Sequence, residues 1–183
     1  MAVNLLVDFA DERFDAAAAA RAHRTAEGLG FRLVHAARAD DRLAAWIDWQ
    51  FAPSWWSAEA RESEVWVAQD QRGDIGGFAA FDSHGLRLPW LREYHAQTGI
   101  GIFGPFGIAP EQRKKGLGTA LLDAALCSLR AKHYARALIP AVGFERLIAM
   151  YQTRTAARIV DRYNYDSPRR FRATILASGS GTN

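Results

Sequence analysis

Hydrophobic positions recur along the chain with two different periods. In "DDRLAAWIDWQF" and "GLGTALLDAALCSLRAKH" apolar residues return three and four positions apart, which predicts helices that bury one face. Shorter apolar runs such as "FRLVHAA" and "RALIPAV" predict strands. The runs "SEVWVAQD" and "IGGFAAFD" are separated by a turn at residues 71–74 and predict a hairpin. The chain therefore mixes both element types throughout its length.

The predicted order from residue 31 onward is a strand, two helices, a hairpin, a strand, a helix, a strand, a helix and two final strands. Before it, Asp11 is expected to cap a helix that runs to about Glu27. Ser54 is expected to start the second of the two helices. "SHGLRLPWLREYHAQTG" is broken by Pro89 and its glycines, so we expect an irregular excursion there. This order predicts an α/β sandwich with a mixed sheet.

Composition narrows the class of protein. The 183 residues are 49% hydrophobic and 23% charged, which is typical of one soluble domain. We find no run near the roughly 18 apolar residues that span a bilayer, and no secretory signal at the start. The single Cys127 excludes an internal disulfide framework and a multi-cysteine zinc site. We therefore expect a cytoplasmic protein without a membrane segment or metal.

Charge adds a local rather than a global signal. A net charge of +3 does not by itself indicate a nucleic-acid partner, and we expect none. The basic residues concentrate in two stretches, residues 113–115 and 154–172. A phosphorylated small molecule would explain such clusters as well as a polymer would.

The stretch "APEQRKKGLGTALL", residues 109–122, has the features of an anion site. A glycine-rich turn between a strand and a helix exposes N–H groups without intrahelical partners, and the helix dipole adds positive charge there. Such a turn holds a phosphate. Gly116 and Gly118 would let the backbone approach a ligand closely.

The spacing in this turn excludes two common nucleotide loops. Gly118 is followed by Thr119 and Ala120, whereas a Walker A loop requires Lys and then Ser or Thr. Leu121 stands where a dinucleotide fingerprint requires its third glycine. A plain charged loop before an ordinary helix remains the alternative to a phosphate site.

Three segments resemble the GCN5-related N-acetyltransferases, abbreviated GNAT. "RKKGLG" matches the family's [Q/R]-x-x-G-x-[G/A] motif, and "GPFGIAPEQRKKGLGTALLDAAL" resembles its strand, pyrophosphate loop and helix. "RLIAMYQTRTAARIV" resembles the later helix and strand entry, with Tyr151 at the family's tyrosine and Ala156 where the family usually has glycine. The resemblance covers roughly residues 31–176.

This resemblance implies a mostly antiparallel central sheet flanked by about four helices, with an N-terminal extension. It divides the chain into a strand/helix extension (1–30), an acyl-CoA N-acyltransferase domain (31–176) and a flexible Gly/Ser-rich tail (177–183). The implied activity is transfer of an acetyl group from acetyl-CoA to a primary amine, by direct attack in a ternary complex. The acceptor would be a small molecule or an amino terminus, and the enzyme a monomer or homodimer.

The resemblance also implies roles for particular residues. The strand before the loop would be splayed from its neighbour by a bulge, and Phe106, Gly107 and Ile108 would pair with the pantetheine arm. Tyr151 would protonate the leaving thiolate, with a packed surface tyrosine as the alternative. A backbone N–H near Ile108 would stabilise the oxyanion. The pyrophosphate would lie on Arg113, Lys114, Lys115, Gly116, Leu117, Gly118 and Thr119, with Lys114 or Lys115 reaching the ribose phosphate instead.

A general base is not evident, because residues 99–110 hold no Asp, Glu or His. Asp82, His84, Glu93 and His95 flank the strands that lead into the site, but a solvated loop residue is the better explanation for each, and we assign none of them as the base. This leaves a non-catalytic acyl-CoA sensor as an alternative, and a nucleotide-binding protein as a third.

An aromatic segment before the predicted hairpin and the last residues of the chain each suggest a further feature. "WIDWQFAPSWW" suggests an aromatic acceptor pocket around Trp49, Trp55 and Trp56, with core packing as the better explanation for Trp46. The ending "RFRATILASGSGTN" resembles the first phosphate loop of glycinamide ribonucleotide transformylases. The chain could therefore be a piece of a longer acyltransferase–formyltransferase fusion.

Overall fold

The protein was analysed as a computed structural model that describes residues 2–10, 12–52, 55–83 and 99–163. Several predictions lie outside these residues: the excursion at 84–98 with His84, Glu93 and His95, the caps Asp11 and Ser54, the final strand "RRFRATILA" and the tail 177–183.

The described residues form seven strands and five α-helices. The strands are β1 (Ala2–Asp8), β2 (Phe31–Ala36), β3 (Glu64–Asp70), β4 (Ile75–Phe81), β5 (Ile100–Ile108), β6 (Arg136–Val142) and β7 (Arg158–Tyr163). The helices are α1 (Ala16–Gly28), α2 (Asp41–Phe51), α3 (Trp56–Ala60), α4 (Leu117–Ala131) and α5 (Glu145–Thr155), with short 3-10 helices at Glu12–Phe14 and Pro110–Gln112.

All seven strands lie in one sheet of order β2-β3-β4-β5-β6-β1-β7. Only the β5–β6 pair is parallel, and the other described pairs are antiparallel. The predicted mixed, mostly antiparallel α/β sheet is therefore confirmed, with five described helices where about four were expected.

Strand β1 is an interior strand of this sheet. It pairs with β6 on one edge, where Val3 faces Val142, and with β7 on the other. Six of its seven residues are buried, as expected of a strand covered on both edges and both faces. Asn4 lies in this strand fully buried, and its Oδ1 accepts a hydrogen bond from the Ala141 N–H of β6 at 3.0 Å. The domain boundary at residue 30 stays a prediction.

Helix α1 begins at Ala16, because its cap is Asp15 rather than Asp11. The Asp15 Oδ1 accepts a hydrogen bond from the Ala18 N–H at 2.7 Å, which satisfies one of the free donors of the first turn. The preceding residues form the first 3-10 helix and bury Phe14. Asp11 itself lies outside the described residues, and the observed N-cap Asp15 is four residues further along the chain.

Helices α1, α4 and α5 contribute to one buried cluster, and α2 and α3 contribute to a second one. Cys127 belongs to the first cluster, as predicted for a small core residue. Its burial raises the pKa of the thiol to about 12, so this sulfur is unreactive at neutral pH.

Candidate active site

A cleft opens where β5 and β6 separate. The two strands pair only from Ile100 to Ile102, whereas β5 continues to pair with β4 as far as Ile108. Beyond Ile102 the gap between β5 and β6 forms a cavity of about 240 Å³. This is the splayed strand pair that the GNAT resemblance implies.

The separation begins at Gly104 and Pro105. The register between β4 and β5 shifts here, so that β5 carries an extra residue in the form of a bulge. Gly104 has a φ of 118°, a conformation that favours glycine, and Pro105 has no N–H to donate to a ladder. Sequence and structure therefore agree on the position of the irregularity.

The far half of β5 leaves one edge free for a ligand. Phe106, Gly107 and Ile108 pair with β4. The Ala109 N–H donates to the Gly76 carbonyl of β4 at 3.0 Å, and successive backbone groups of a strand point to opposite edges. The Ile108 N–H therefore points away from β4, towards the gap.

The loop after β5 ends in an open helix start. Gly116 is the N-cap of α4, with a φ of 104° that favours glycine and no side-chain cap bond. Gly118 has a different role, since a Cβ there would lie 3.3 Å from the Phe106 ring and the Ile108 side chain. It allows α4 to pack closely on β5. The open N–H groups of the first turn can bind an anion.

The three cations of the loop are exposed. Arg113 Nε donates to the Ile108 carbonyl at 3.1 Å, which ties the loop to the free edge of β5. Lys115 Nζ donates to Gln112 Oε1 at 3.3 Å. Lys114 has a φ of 62°, so the backbone reverses direction directly before Gly116.

A groove of about 790 Å³ continues from Thr119 on the helical face. It lies between the first 3-10 helix with α1 on one side and α4 with α5 on the other. Four arginines line it, and one of them, Arg154, forms a two-pronged ion pair with Asp123 that raises the pKa of Arg154. The other three are Arg13, Arg21 and Arg146.

Tyr151 lines the cleft from helix α5. Its side chain is 4% exposed and meets the Phe103 ring edge-on, with 6.2 Å between ring centres. Burial raises the pKa of the phenol above its ordinary value, so the hydroxyl keeps its proton at neutral pH. Tyr151 is thus packed and buried at the cleft, and its catalytic role stays a prediction.

Glu59 is a cleft residue that the sequence reasoning missed. It lies on α3, is 4% exposed and lines the same cavity as Tyr151. Its Oε1 accepts a hydrogen bond from Ser83 Oγ, whereas its Oε2 is buried and has no hydrogen-bond partner within the described part of the chain. The only sequence signal was an acid three and four positions after Trp56 and Trp55, a helical spacing that places it on their face.

Some of the other residues predicted for the general base and the acceptor pocket line the cleft, and others do not. Asp82 accepts hydrogen bonds from Lys132 Nζ and Tyr134 Oη, both at 2.6 Å, and does not line the cleft. Trp55 and Trp56 do line it, as predicted. Trp49 is 78% exposed, so its predicted place in the pocket is wrong; it projects from the outer face of α2.

Within residues 2–10, 12–52, 55–83 and 99–163, no three His, Cys, Asp or Glu side chains group together in a way that could hold a metal ion. Over the same part of the chain, no helix has the length and apolar character needed to cross a membrane.

Comparison with solved structures supports the fold. The glucosamine N-acetyltransferase region of a fungal multi-domain GH3 β-N-acetylglucosaminidase matches with a TM-score of 0.60 at 17% identity, over 86% of this chain and 19% of that one. A tandem GNAT protein from the clavulanic acid biosynthesis pathway matches with a TM-score of 0.56 at 15% identity, over 86% of this chain and 50% of that one. A putative GNAT acetyltransferase from Novosphingobium aromaticivorans matches with a TM-score of 0.54 at 14% identity, over 69% of this chain and 51% of that one.

The chain thus spans between about a fifth and a half of the length of these proteins. No curated protein matches it by sequence. The sequence model of the Acetyltransferase (GNAT) family matches residues 31–155, which is more than half of the chain and includes β5, the loop and Tyr151. The chain therefore belongs to the GNAT acetyltransferase family.

Proposed function

We propose that this protein is an acetyl-CoA-dependent N-acetyltransferase that moves an acetyl group to a primary amine by direct attack within a ternary complex. The observation that carries the proposal is the cleft between β5 and β6, which combines a free strand edge, an open helix start and a buried phenol. Family membership supports acyl transfer from coenzyme A as the general reaction.

The donor fits the cleft in three parts. The amides of the pantetheine arm can pair with the free edge of β5 at residues 106–108, as an added strand would. The pyrophosphate can lie on the open N–H groups at the start of α4, with Arg113, Lys114 and Lys115 nearby. The 3′-phosphate can reach the arginine-lined groove that starts at Thr119.

The chemistry then requires three protein contributions. The neutral amine attacks the thioester carbonyl and forms a tetrahedral oxyanion, which the Ile108 N–H can stabilise. The C–S bond breaks as the oxyanion collapses. The departing thiolate takes a proton from the Tyr151 hydroxyl, whose burial keeps it protonated until that moment. The phenolate regains a proton from the nitrogen, which loses one on forming the amide.

A non-catalytic acyl-CoA sensor was favoured mainly by the missing acid on β5. Glu59 supplies a buried carboxylate to the same cleft from another element, and Tyr151 is retained. Two reactive groups in one cavity are expected of an enzyme rather than of a binding module.

The proposal is tested by calorimetry followed by turnover. Acetyl-CoA and CoA should bind and ATP should bind much more weakly, because the loop spacing fits neither common nucleotide motif. Thiol release with a panel of primary amines should then exceed the rate without amine. Tight ATP binding without CoA binding would support a nucleotide-binding protein instead. CoA binding without acceptor-dependent thiol release would support the sensor.

A further inference from the structure

Within the described chain, the acceptor half of the cleft is lined by apolar residues and one carboxylate. The described residues around it are mostly aromatic and aliphatic, and Glu59 is the single charged side chain among them. The apolar part includes Trp55, Trp56, Phe103, Phe106 and Leu147. No lysine, arginine or histidine of the described chain lines the cavity. A ligand here therefore meets one carboxylate in an apolar enclosure.

Only one oxygen of the Glu59 carboxylate accepts a hydrogen bond from the described residues. Ser83 Oγ donates to Oε1, and Ser63 Oγ donates to the Glu59 backbone carbonyl at 2.8 Å. Oε2 has no hydrogen-bond partner among the described residues, although it is fully buried. A buried carboxylate oxygen without a partner is costly, and that cost is relieved when a cationic donor binds.

Ser83 is itself fixed from the opposite face of the sheet. Its neighbour Asp82 donates its N–H to the Ile102 carbonyl at 2.8 Å, and the Asp82 carboxylate is bound by Lys132 and Tyr134. The end of β4 is thereby anchored on both sides. The free oxygen of Glu59 is consequently oriented before any ligand arrives, which lowers the cost of binding.

From these contacts we infer that the acceptor is a small monocationic primary amine with an apolar body, such as an arylalkylamine, whose ammonium group binds the Glu59 carboxylate. This inference rests on the proposed function and narrows its substrate class. The whole cavity of about 240 Å³ also has to hold the acetylated end of the pantetheine arm, so the space left for the acceptor suits a single ring with a short chain and nothing larger. The tryptophans and Phe103 would receive the ring.

Glu59 also serves as the first proton acceptor in this scheme. The ammonium transfers one proton to the Glu59 carboxylate and becomes the neutral amine, whose lone pair forms the C–N bond with the acetyl carbonyl. The second proton leaves the nitrogen when the tetrahedral intermediate collapses and the C–S bond breaks, and it restores the proton that Tyr151 gives to the thiolate. The proton on Glu59 is released to solvent, so one proton is produced for each amide formed.

The same lining disfavours other amines. The carboxylate of an amino acid would face Glu59 without any cation to balance it, which is a like-charge contact in an apolar site. A polyamine would have to strip water from its remaining ammonium groups within the aromatic walls. The neutral body and the single positive charge are therefore both required.

The test compares three acceptors that differ in one feature each, using the full chain with acetyl-CoA. Phenethylamine should give a kcat/KM at least about 100-fold above that of phenylalanine, which adds only the carboxylate, and above that of spermidine. In calorimetry, phenethylamine should bind the enzyme–CoA complex at least about tenfold more tightly than 2-phenylethanol, its neutral counterpart. This second measurement needs no variant.

Glu59→Gln should weaken phenethylamine binding at least about tenfold and leave the affinity for CoA within about twofold. Glu62→Gln, an exposed carboxylate three residues along the chain, is the matched control and should change neither. A thermal melt confirms that each variant is folded. Preference for phenylalanine or spermidine, or equal binding of phenethylamine and 2-phenylethanol, overturns the inference while acetyl-CoA binding still supports the proposed function. Absence of acetyl-CoA binding would instead remove the proposed function itself.

Discussion

The two sides of the cleft are built in different ways. The proposed donor side consists of backbone groups on one continuous segment, the edge of β5 and the first turn of α4, and the proposed acceptor side is built differently. The acceptor side consists of side chains from α3, the end of β4 and β6, brought together only by the fold. Backbone recognition depends on conformation and tolerates many side chains, whereas side-chain recognition changes with each substitution. We therefore expect donor binding to be robust to most changes and acceptor choice to be sensitive.

The largest effect should come from breaking the donor side at its backbone. Gly116→Asp adds a side chain at a φ of 104° and places a negative charge where the pyrophosphate would lie. We expect CoA affinity to fall about 1,000-fold, roughly 4 kcal/mol, in calorimetry. Gly28→Asp is the control, because a Cβ there meets nothing within 4 Å and its φ is ordinary. Retained CoA binding in Gly116→Asp would remove the loop from the donor site.

Tyr151→Phe removes the hydroxyl at the point where the two sides meet. We expect kcat to fall about 100-fold, the lower end of what a proton donor contributes, while the Kd for CoA changes less than twofold. Tyr163→Phe is the control, since Tyr163 ends β7, which β1 separates from β6 in the sheet. A variant with an unchanged kcat would exclude Tyr151 from the chemistry.

The arginine-lined groove extends the donor side and can be separated from it. The double variant Arg21→Ala with Arg146→Ala should weaken CoA binding about tenfold, or 1.4 kcal/mol, because two cations near the 3′-phosphate are lost. Dephospho-CoA lacks that phosphate, so its affinity should change less than twofold. An equal loss for both ligands would place the 3′-phosphate elsewhere.

The burial of Tyr151 should be visible as a dependence of stability on pH. Its folded-state pKa is raised above the unfolded value of about 10, so its contribution is complete below pH 10 and is lost as pH rises further. At pH 10.5 the free energy of unfolding of the wild type should have dropped about 1 kcal/mol more, relative to pH 8, than that of Tyr151→Phe. Urea titrations at both pH values measure the difference. Parallel losses in the two proteins would show that the phenol ionises freely when folded.

The smallest effect concerns the end of the helix that carries Tyr151. Ala156 ends α5 with a φ of 53°, the left-handed conformation that favours the glycine usual in the family. Ala156→Gly should raise the free energy of unfolding by about 0.5 kcal/mol, because relief of strain outweighs the added freedom of the unfolded chain. Denaturation in urea measures this, with kcat expected to be unchanged. A destabilised variant would mean that the alanine side chain contributes packing that exceeds its strain.

The same difference between the two sides decides what sequence can predict. The loop at residues 113–119 is continuous, so its glycines, charges and position between strand and helix are visible in the sequence. The mixed sheet also follows from the order of the periodic segments. Glu59 could not be found in this way, because its neighbours in the cleft are up to 92 positions away, at Tyr151, and only the fold joins them. Trp49 was misplaced for a related reason: aromatic content does not say which face of α2 meets the sheet.

The position of β1 has a consequence for how the protein is made. The wall of the cleft formed by β6 is held on its other edge by β1, with Val3 opposite Val142 and Asn4 bound to Ala141. During synthesis, residues 2–8 must wait for more than a hundred later residues before their partners exist, and such distant pairings are slow to form. One wall of the binding site is complete only when β6 has been translated and has paired with β1. We therefore expect coenzyme A to bind the completed sheet and not the growing chain.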